Sequence, residues 1–373
     1  VVFSIFGIAS VFMPALFGIV ADKWVNAEKL YGILHILSGI AIFSLSRVND
    51  PDTFFWVMLV AMTFYMPTIA LSNSVAYNAL KSNGYDVVKV FPPIRVWGTI
   101  GFIAAMWVTN LTGNKATEVQ FYLSAVFSLI LGVYSFTLPA CPPPLKGKKD
   151  INLADSLGLK AFKLFANYKM ALFFIFSMFL GAALQLTNMY GDTFLDDFKN
   201  IPQYAESFVV RYSTIIMSIS QISETLFILA IPFFLKKFGI KNVMLISMAA
   251  WVLRFALFGF GNPDDRLWML ILSMVVYGMA FDFFNISGSL FIETTTDTSI
   301  RSSAQGLFMM MTNGFGAMIG SLASGLIIDK YFMVDGMKNW QGIWFTFAAY
   351  AAVIAILFAV LFKHKHERQA VSE

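Results

Sequence analysis

Several long apolar stretches of the chain carry polar and aromatic side chains at helical spacing. Gln185 and Asn188 are three residues apart, so on a helix they share a face. Gln221 and Glu224 repeat that spacing. Arg95, Thr99 and Phe102 follow the 0, 4, 7 pattern of a single stripe, and Tyr277, Phe281 and Phe284 follow it again. These groups suit a solute that is both hydroxylated and flat. Carboxylates and amides pair with hydroxyls, which donate and accept, while Phe and Tyr faces stack on planar rings. Two carboxylates, Glu224 and Asp282, lie clearly inside apolar runs. Asp282 is five residues beyond Tyr277, about 140° around a helix at 100° per residue, and so stands off the Tyr277 stripe.

Each set also has a plainer reading. Gln185 and Asn188 can hydrogen-bond between helices as glue. Phe102 and Phe284 can be packing. Arg95 follows Pro92-Pro93 near the end of its run and can snorkel to the interface. Asp282 can belong to a static ion pair between helices. His35 stands alone on an apolar helix without an evident partner and reads as structural, as does Arg254, which can pair with a loop carboxylate. Pro14, Pro67 and Pro232 read as helix kinks. Gly314, Gly316, Gly320, Ser324 and Gly325 suit close helix packing.

Other chemistries find no support. The chain has no HExxH helix and no GxSxG elbow, and its three His are scattered. An enzyme is not expected, and neither is a metal or cofactor. The single cysteine, Cys141, excludes a disulfide framework within the chain. A net charge of +4 is too small to argue for nucleic acid.

The elements that position these residues follow from composition. Of 373 residues, 58% are hydrophobic and only 13% charged, against roughly a quarter charged in a soluble domain. Such a surface requires lipid. The 8 Trp and 13 Tyr suit the two water–lipid interfaces. A helix needs about 20 apolar residues to cross roughly 30 Å of hydrocarbon. Such runs fall near 1–21, 28–47, 53–79, 95–113, 118–139, 168–190, 212–235, 241–261, 267–292, 302–328 and 340–362, about 11 spans by this criterion. They are continuous rather than alternating, which argues against a β-barrel.

Charge orients the spans. The loops at Lys23, Lys81, the 140–167 linker, Lys236, Arg301 and the tail hold about 17 basic residues, and the opposite loops about 7. The basic side is cytoplasmic by the positive-inside rule, so the C-terminus is inside and Val1 outside. Val1 already stands within an apolar run. We expect one further span before it, which would give twelve with both termini inside.

The linker around Pro142-Pro143-Pro144 divides the chain into an N-terminal bundle (1–139), a cytoplasmic linker (140–167) and a C-terminal six-helix bundle with a short basic tail (168–373). The two bundles share a pattern. Tyr65 precedes Asn73 by eight residues, as Tyr277 precedes Asn285. The next helix in each opens with Arg and places Phe seven residues later, at Arg95 and Phe102 and at Arg301 and Phe308. Parallel repeats of this kind build many transporters.

A parallel six-helix repeat with a cytoplasmic linker resembles the major facilitator superfamily. So does GIVADKW, with Gly18, Asp22 and Lys23 at the start of that family's G-x-x-x-D loop, although its later Gly and basic positions are absent. More specific strings are PPIRVWGTIGF (Pro92 to Phe102), LQLTNMYGDTFL (Leu184 to Leu195), IIMSISQISETLFIL (Ile215 to Leu229), VYGMAFDFFNISGS (Val276 to Ser289) and AQGLFMMMTNGFG (Ala304 to Gly316). They resemble the bacterial nucleoside:proton symporters of that superfamily over nearly the whole chain.

The resemblance implies an all-α membrane protein with two six-helix bundles, the first helix absent from this chain. It implies proton-coupled nucleoside uptake across the bacterial inner membrane by alternating access. A symporter for another polar solute, such as a sugar or peptide, is the alternative, because one fold hosts many substrates. The expected partners are purine or pyrimidine nucleosides, protons and lipid, with the chain a monomer. The implied substrate cavity lies between the halves. Its residues correspond here to Arg95, Thr99, Phe102, Gln185, Asn188, Gln221, Glu224, Tyr277 and Phe281, and Asp282 corresponds to the family's membrane aspartate. A buried carboxylate can hold or release a proton in the working pH range. Glu224 is accordingly assigned mainly to substrate, and Asp282 to proton or conformational coupling.

Overall fold

The computed structural model describes residues 4–85, 87–143, 159–296 and 301–364. Helices α1 (Ser4–Lys23), α2 (Ala27–Leu45), α3 (Pro51–Ser82), α4 (Val87–Leu111) and α5 (Val119–Ser135) are followed by α6 (Tyr168–Asp197). A single helical run, Ser213–Phe260, is broken at Gly239 and is treated as α7 (213–238) and α8 (240–260). Then come α9 (Leu267–Thr295), α10 (301–331) and α11 (Trp340–Leu361). A two-stranded ribbon, β1 (Met333–Val334) with β2 (Met337–Lys338), links α10 to α11. Among the described residues, eight helical runs are long and apolar enough to cross a membrane. One of them is divided at Gly239, and Val96–Leu111 and Val119–Ser135 are shorter apolar helices.

The break is sharp, and it is at Gly239 rather than at Pro232. Gly239 has φ 77° and ψ 167°, a conformation that is costly for residues with a Cβ. On a straight helix the 34 residues from Ser220 to Arg254 would span about 51 Å at 1.5 Å each. The two side chains instead hydrogen-bond, so α8 folds back along α7. Pro14, Pro67 and Pro232 each lie inside a helix that continues past them.

Helix starts follow local chemistry. Asp50 caps α3, its carboxylate accepting from the Thr53 N–H at 2.8 Å and hydroxyl at 2.7 Å, with Pro51 in the first turn. Asn167 caps α6 and Asn339 caps α11 in the same way. Within α10 the backbone widens to a π-helix over Met310–Gly316. Thr312 lies in this stretch and its hydroxyl donates back to the Phe308 carbonyl at 2.9 Å, a bond that competes with the helical ladder.

The chain folds as two compact units, Val1–Lys160 with Asn313–Met318, and Ala161–Thr312 with Ile319–Glu373. In the first, α2 packs on α3 and α5, and α1 on α3. Glycines allow the α2–α5 approach: a Cβ on Gly32 would stand 2.7 Å from the Gly132 carbonyl oxygen. His35 is held in this interface. Its Nδ1 is 3.1 Å from the Ser128 hydroxyl, which donates to the His35 carbonyl at 2.9 Å. The isolated histidine of the sequence therefore has a partner, 93 residues away.

In the second unit α9 packs on the α7–α8 pair and α11 on the same run. Its core is aromatic. Phe173 of α6 meets Phe284 and Phe291 of α9 and Phe308 of α10, with ring centres 4.9–6.2 Å apart. Phe284 is buried in this cluster, so it serves packing rather than a ligand face.

Candidate functional site

Tyr277, Phe281 and Asp282 belong to α9, Gln221 and Glu224 to α7, and Gln185 and Asn188 to α6, all within the second unit. The α7–α9 approach is set by small residues. A Cβ on Gly278 would stand 2.6 Å from the Ser223 carbonyl oxygen, and the Ser223 hydroxyl donates to the Val275 carbonyl. Since Ser223 precedes Glu224 and Gly278 follows Tyr277, this contact brings the two polar segments face to face.

The side chains meet accordingly. Gln221 hydrogen-bonds the Tyr277 hydroxyl, and Glu224 lies within electrostatic range of both Tyr277 and Asp282. The Tyr277 and Phe281 rings stack, 6.3 Å between centres and 13° between planes. Tyr277 and Asp282 are buried, at 5% and 4% exposure, while Gln221, Glu224 and Phe281 are half-buried. The cluster thus reaches from the helical core toward open space. On α6, Gln185 is buried and Asn188 exposed.

Among the described residues Asp282 is in no ion pair. Its Oδ2 has no hydrogen-bond partner among them. Its neighbour Phe283 points elsewhere, packing against Ile231 and Val243. A sheltered carboxylate with a free oxygen beside a second carboxylate can accept and release a proton without first breaking a salt bridge.

The α4 residues belong to the first unit. Thr99 is half-buried and Phe102 is 55% exposed. Arg95 lies within α4, its side chain outside the described set. Asp22 of the GIVADKW motif lines a separate cavity of about 370 Å³ with Ser74, Asn78, Lys81 and Cys141.

Arg254 departs from its sequence reading. Among the described residues no carboxylate pairs with it. It is fully buried, and its contacts are to Thr187, Ser220, Ser273 and the Phe258 and Tyr277 rings. An arginine inside an apolar run is itself a signal that the sequence carried, since an intramembrane charge is costly and rarely idle.

Residues 1–367 match the family model described as Nucleoside H+ symporter. The xanthosine permease of Escherichia coli (strain K12) is 53% identical over 371 residues, covering 99% of this chain and 88% of that protein. The nucleoside permease NupG of the same organism is 52% identical over 368 residues, covering 98% and 88%. A crystal structure of nucleoside transporter NupG, in an aspartate-to-alanine variant, superposes with a TM-score of 0.93 at 52% identity over 97% of this chain and 90% of that one. A POT family transporter with 5-aminolevulinic acid, at TM-score 0.64 and 14% identity, shares the fold alone.

Proposed function

The chain belongs to the nucleoside H+ symporter family, and on that premise we propose how it moves nucleosides together with protons. It is a multi-pass transporter of the major facilitator fold, not an enzyme, and its coupling ion is the proton. The solute is a nucleoside rather than a sugar or peptide.

In our reading the polar faces of α6, α7 and α9 take the substrate. Glu224 and Gln221 accept from and donate to the ribose hydroxyls, and a charge-assisted bond from Glu224 is the strongest of these. Phe281 and Tyr277 offer stacked faces to the base, and Gln185 and Asn188 offer amides to its edge. Arg95, Thr99 and Phe102 on α4 are kept as substrate contacts on the strength of the sequence alone. Asp282 takes the proton, and alternating access carries both across. Purine and pyrimidine nucleosides both fit this set. The bacterial inner membrane, a cytoplasmic C-terminus and a monomer complete the proposal.

The observation that carries it is the close packing of α7 on α9 at Ser223 and Gly278, which sets the segment of Gln221 and Glu224 beside that of Tyr277 and Asp282. The test is uptake of labelled uridine into proteoliposomes, with and without an imposed pH gradient. Accumulation that follows the gradient and is blocked by unlabelled nucleosides, not by sugars, is expected. Uptake that ignores the gradient would refute the coupling.

A further inference from the structure

Arg254 presents a physical problem. A central arginine is costly to insert, and a buried charge can often be replaced by apolar side chains without loss of stability. Packing alone therefore gives no reason for a guanidinium here. Its side chain is wholly buried and has no carboxylate partner among the described residues.

Its contacts lead to the proposed site on three sides. On α6, Nε donates to the Thr187 hydroxyl at 3.4 Å, and Thr187 is the neighbour of Asn188. On α7, Nη1 donates to the Ser220 hydroxyl at 3.4 Å, and Ser220 is the neighbour of Gln221. Ser220 gives its own proton to the Met274 sulfur at 3.3 Å, which leaves its lone pairs for the arginine. On α9, Nη1 donates to the Ser273 carbonyl at 2.6 Å, while the Ser273 hydroxyl donates to the Arg254 carbonyl at 3.0 Å. The guanidinium carbon stands 4.6 Å from the centre of the Tyr277 ring and 5.0 Å from that of Phe258. The negative faces of these rings take part of the role of a counter-ion. Trp251 meets the same Tyr277 ring edge-on at 6.0 Å.

We propose that Arg254 is a positioning residue for transport, a buried guanidinium that fixes Tyr277 from behind and, through the hydroxyls of Thr187 and Ser220, ties the segments beside Asn188 and Gln221 into one substrate-binding geometry. The rigid fork of arginine can serve three helices at once, which a lysine ammonium cannot do with the same geometry. The first unit has a related arrangement. His35 of α2 lies edge-on to Tyr65 of α3, 6.2 Å between ring centres, and Tyr65 is the tyrosine that the sequence pairs with Tyr277. In both units a nitrogen-bearing side chain on the preceding helix therefore stands against the repeated tyrosine.

The inference rests on Tyr277 being a substrate residue, and the test separates the two. KM and maximal rate of uridine uptake are measured in proteoliposomes for Arg254→Met, Arg254→Lys, Tyr277→Ala and the double variant Arg254→Met with Tyr277→Ala. Thermal stability is measured on the same preparations. Arg254→Met should raise KM about tenfold with maximal rate within about twofold, and Arg254→Lys should recover part of that loss. Tyr277→Ala should raise KM by itself. Adding Arg254→Met to it should change KM by less than about twofold, because residues acting through one another are not additive. A folded Arg254→Met variant with wild-type KM, or effects that multiply in the double variant, would overturn the inference and leave the site intact. A wild-type KM in Tyr277→Ala would overturn both. Should Arg254→Met fail to fold, Arg254→Gln carries the same comparison.

Discussion

Gly278 of α9 lies so close to Ser223 of α7 that a Cβ on the glycine would stand 2.6 Å from the serine carbonyl oxygen. Real Cβ atoms do not approach backbone oxygen that closely, so any larger residue must push the helices apart. The two positions flank Tyr277 and Glu224, and the close contact therefore sets the distance between two proposed substrate groups.

Gly278→Ala should weaken nucleoside uptake and lower stability by about 1–3 kcal/mol, the usual cost of overpacking. Gly325→Ala serves as the comparison, since nothing lies within 4 Å of a Cβ there. Uptake kinetics and thermal unfolding of both variants decide the matter. Equal behaviour would show that the α7–α9 spacing is not limiting.

Glu224 is half-buried on α7, one residue beyond the Ser223 that packs against Gly278 beside Tyr277. Glu224→Ala should weaken nucleoside binding severely, because a charge-assisted hydrogen bond worth roughly 1.5–3 kcal/mol is lost. Titration calorimetry on the folded variant reads this directly. An unchanged affinity would remove Glu224 from the substrate site.

Asp282→Asn should separate binding from pumping. The amide keeps the shape of the carboxylate but cannot titrate. Equilibrium nucleoside binding should stay within a few-fold, whereas accumulation against a gradient should fail and residual exchange should lose its pH dependence. A purely structural Asp282 would behave differently: the variant would lose thermal stability while its remaining transport stayed coupled to the pH gradient. A stable variant that still concentrates nucleoside under a pH gradient would end the coupling role.

Asp50 gives a pH prediction outside the apolar spans. Hydrogen bonds from the Thr53 hydroxyl and N–H hold its carboxyl below the usual carboxylate range. A depressed folded-state value contributes stability above the unfolded value, and that contribution is lost as pH falls through the folded one. The midpoint difference between wild type and Asp50→Ala should thus be present near neutrality and shrink on acidification. A difference that is constant down to strongly acidic pH would mean that the cap does not depend on the charge.

The spans were legible from composition because hydrocarbon imposes one length on every crossing helix and leaves few polar residues to confuse the pattern. Spacing of three suggested shared faces for Gln221 with Glu224 and for Gln185 with Asn188, yet it did not show that Gln185 is buried while Asn188 is exposed. Partners across helices were not legible. Nothing local to His35 marks Ser128 as its acceptor, and nothing near Arg254 names Thr187, Ser220 and Ser273, which come from three different helices. The reversal near Gly239 was legible as the gap between the runs 212–235 and 241–261, but the residue that makes it was not, since Pro232 carries the stronger local breaker signal. Periodicity fixes only the direction a side chain takes from its own axis. Which helix stands in that direction depends on how closely small residues such as Gly278 and Gly32 let backbones approach, and only the assembled bundle decides that.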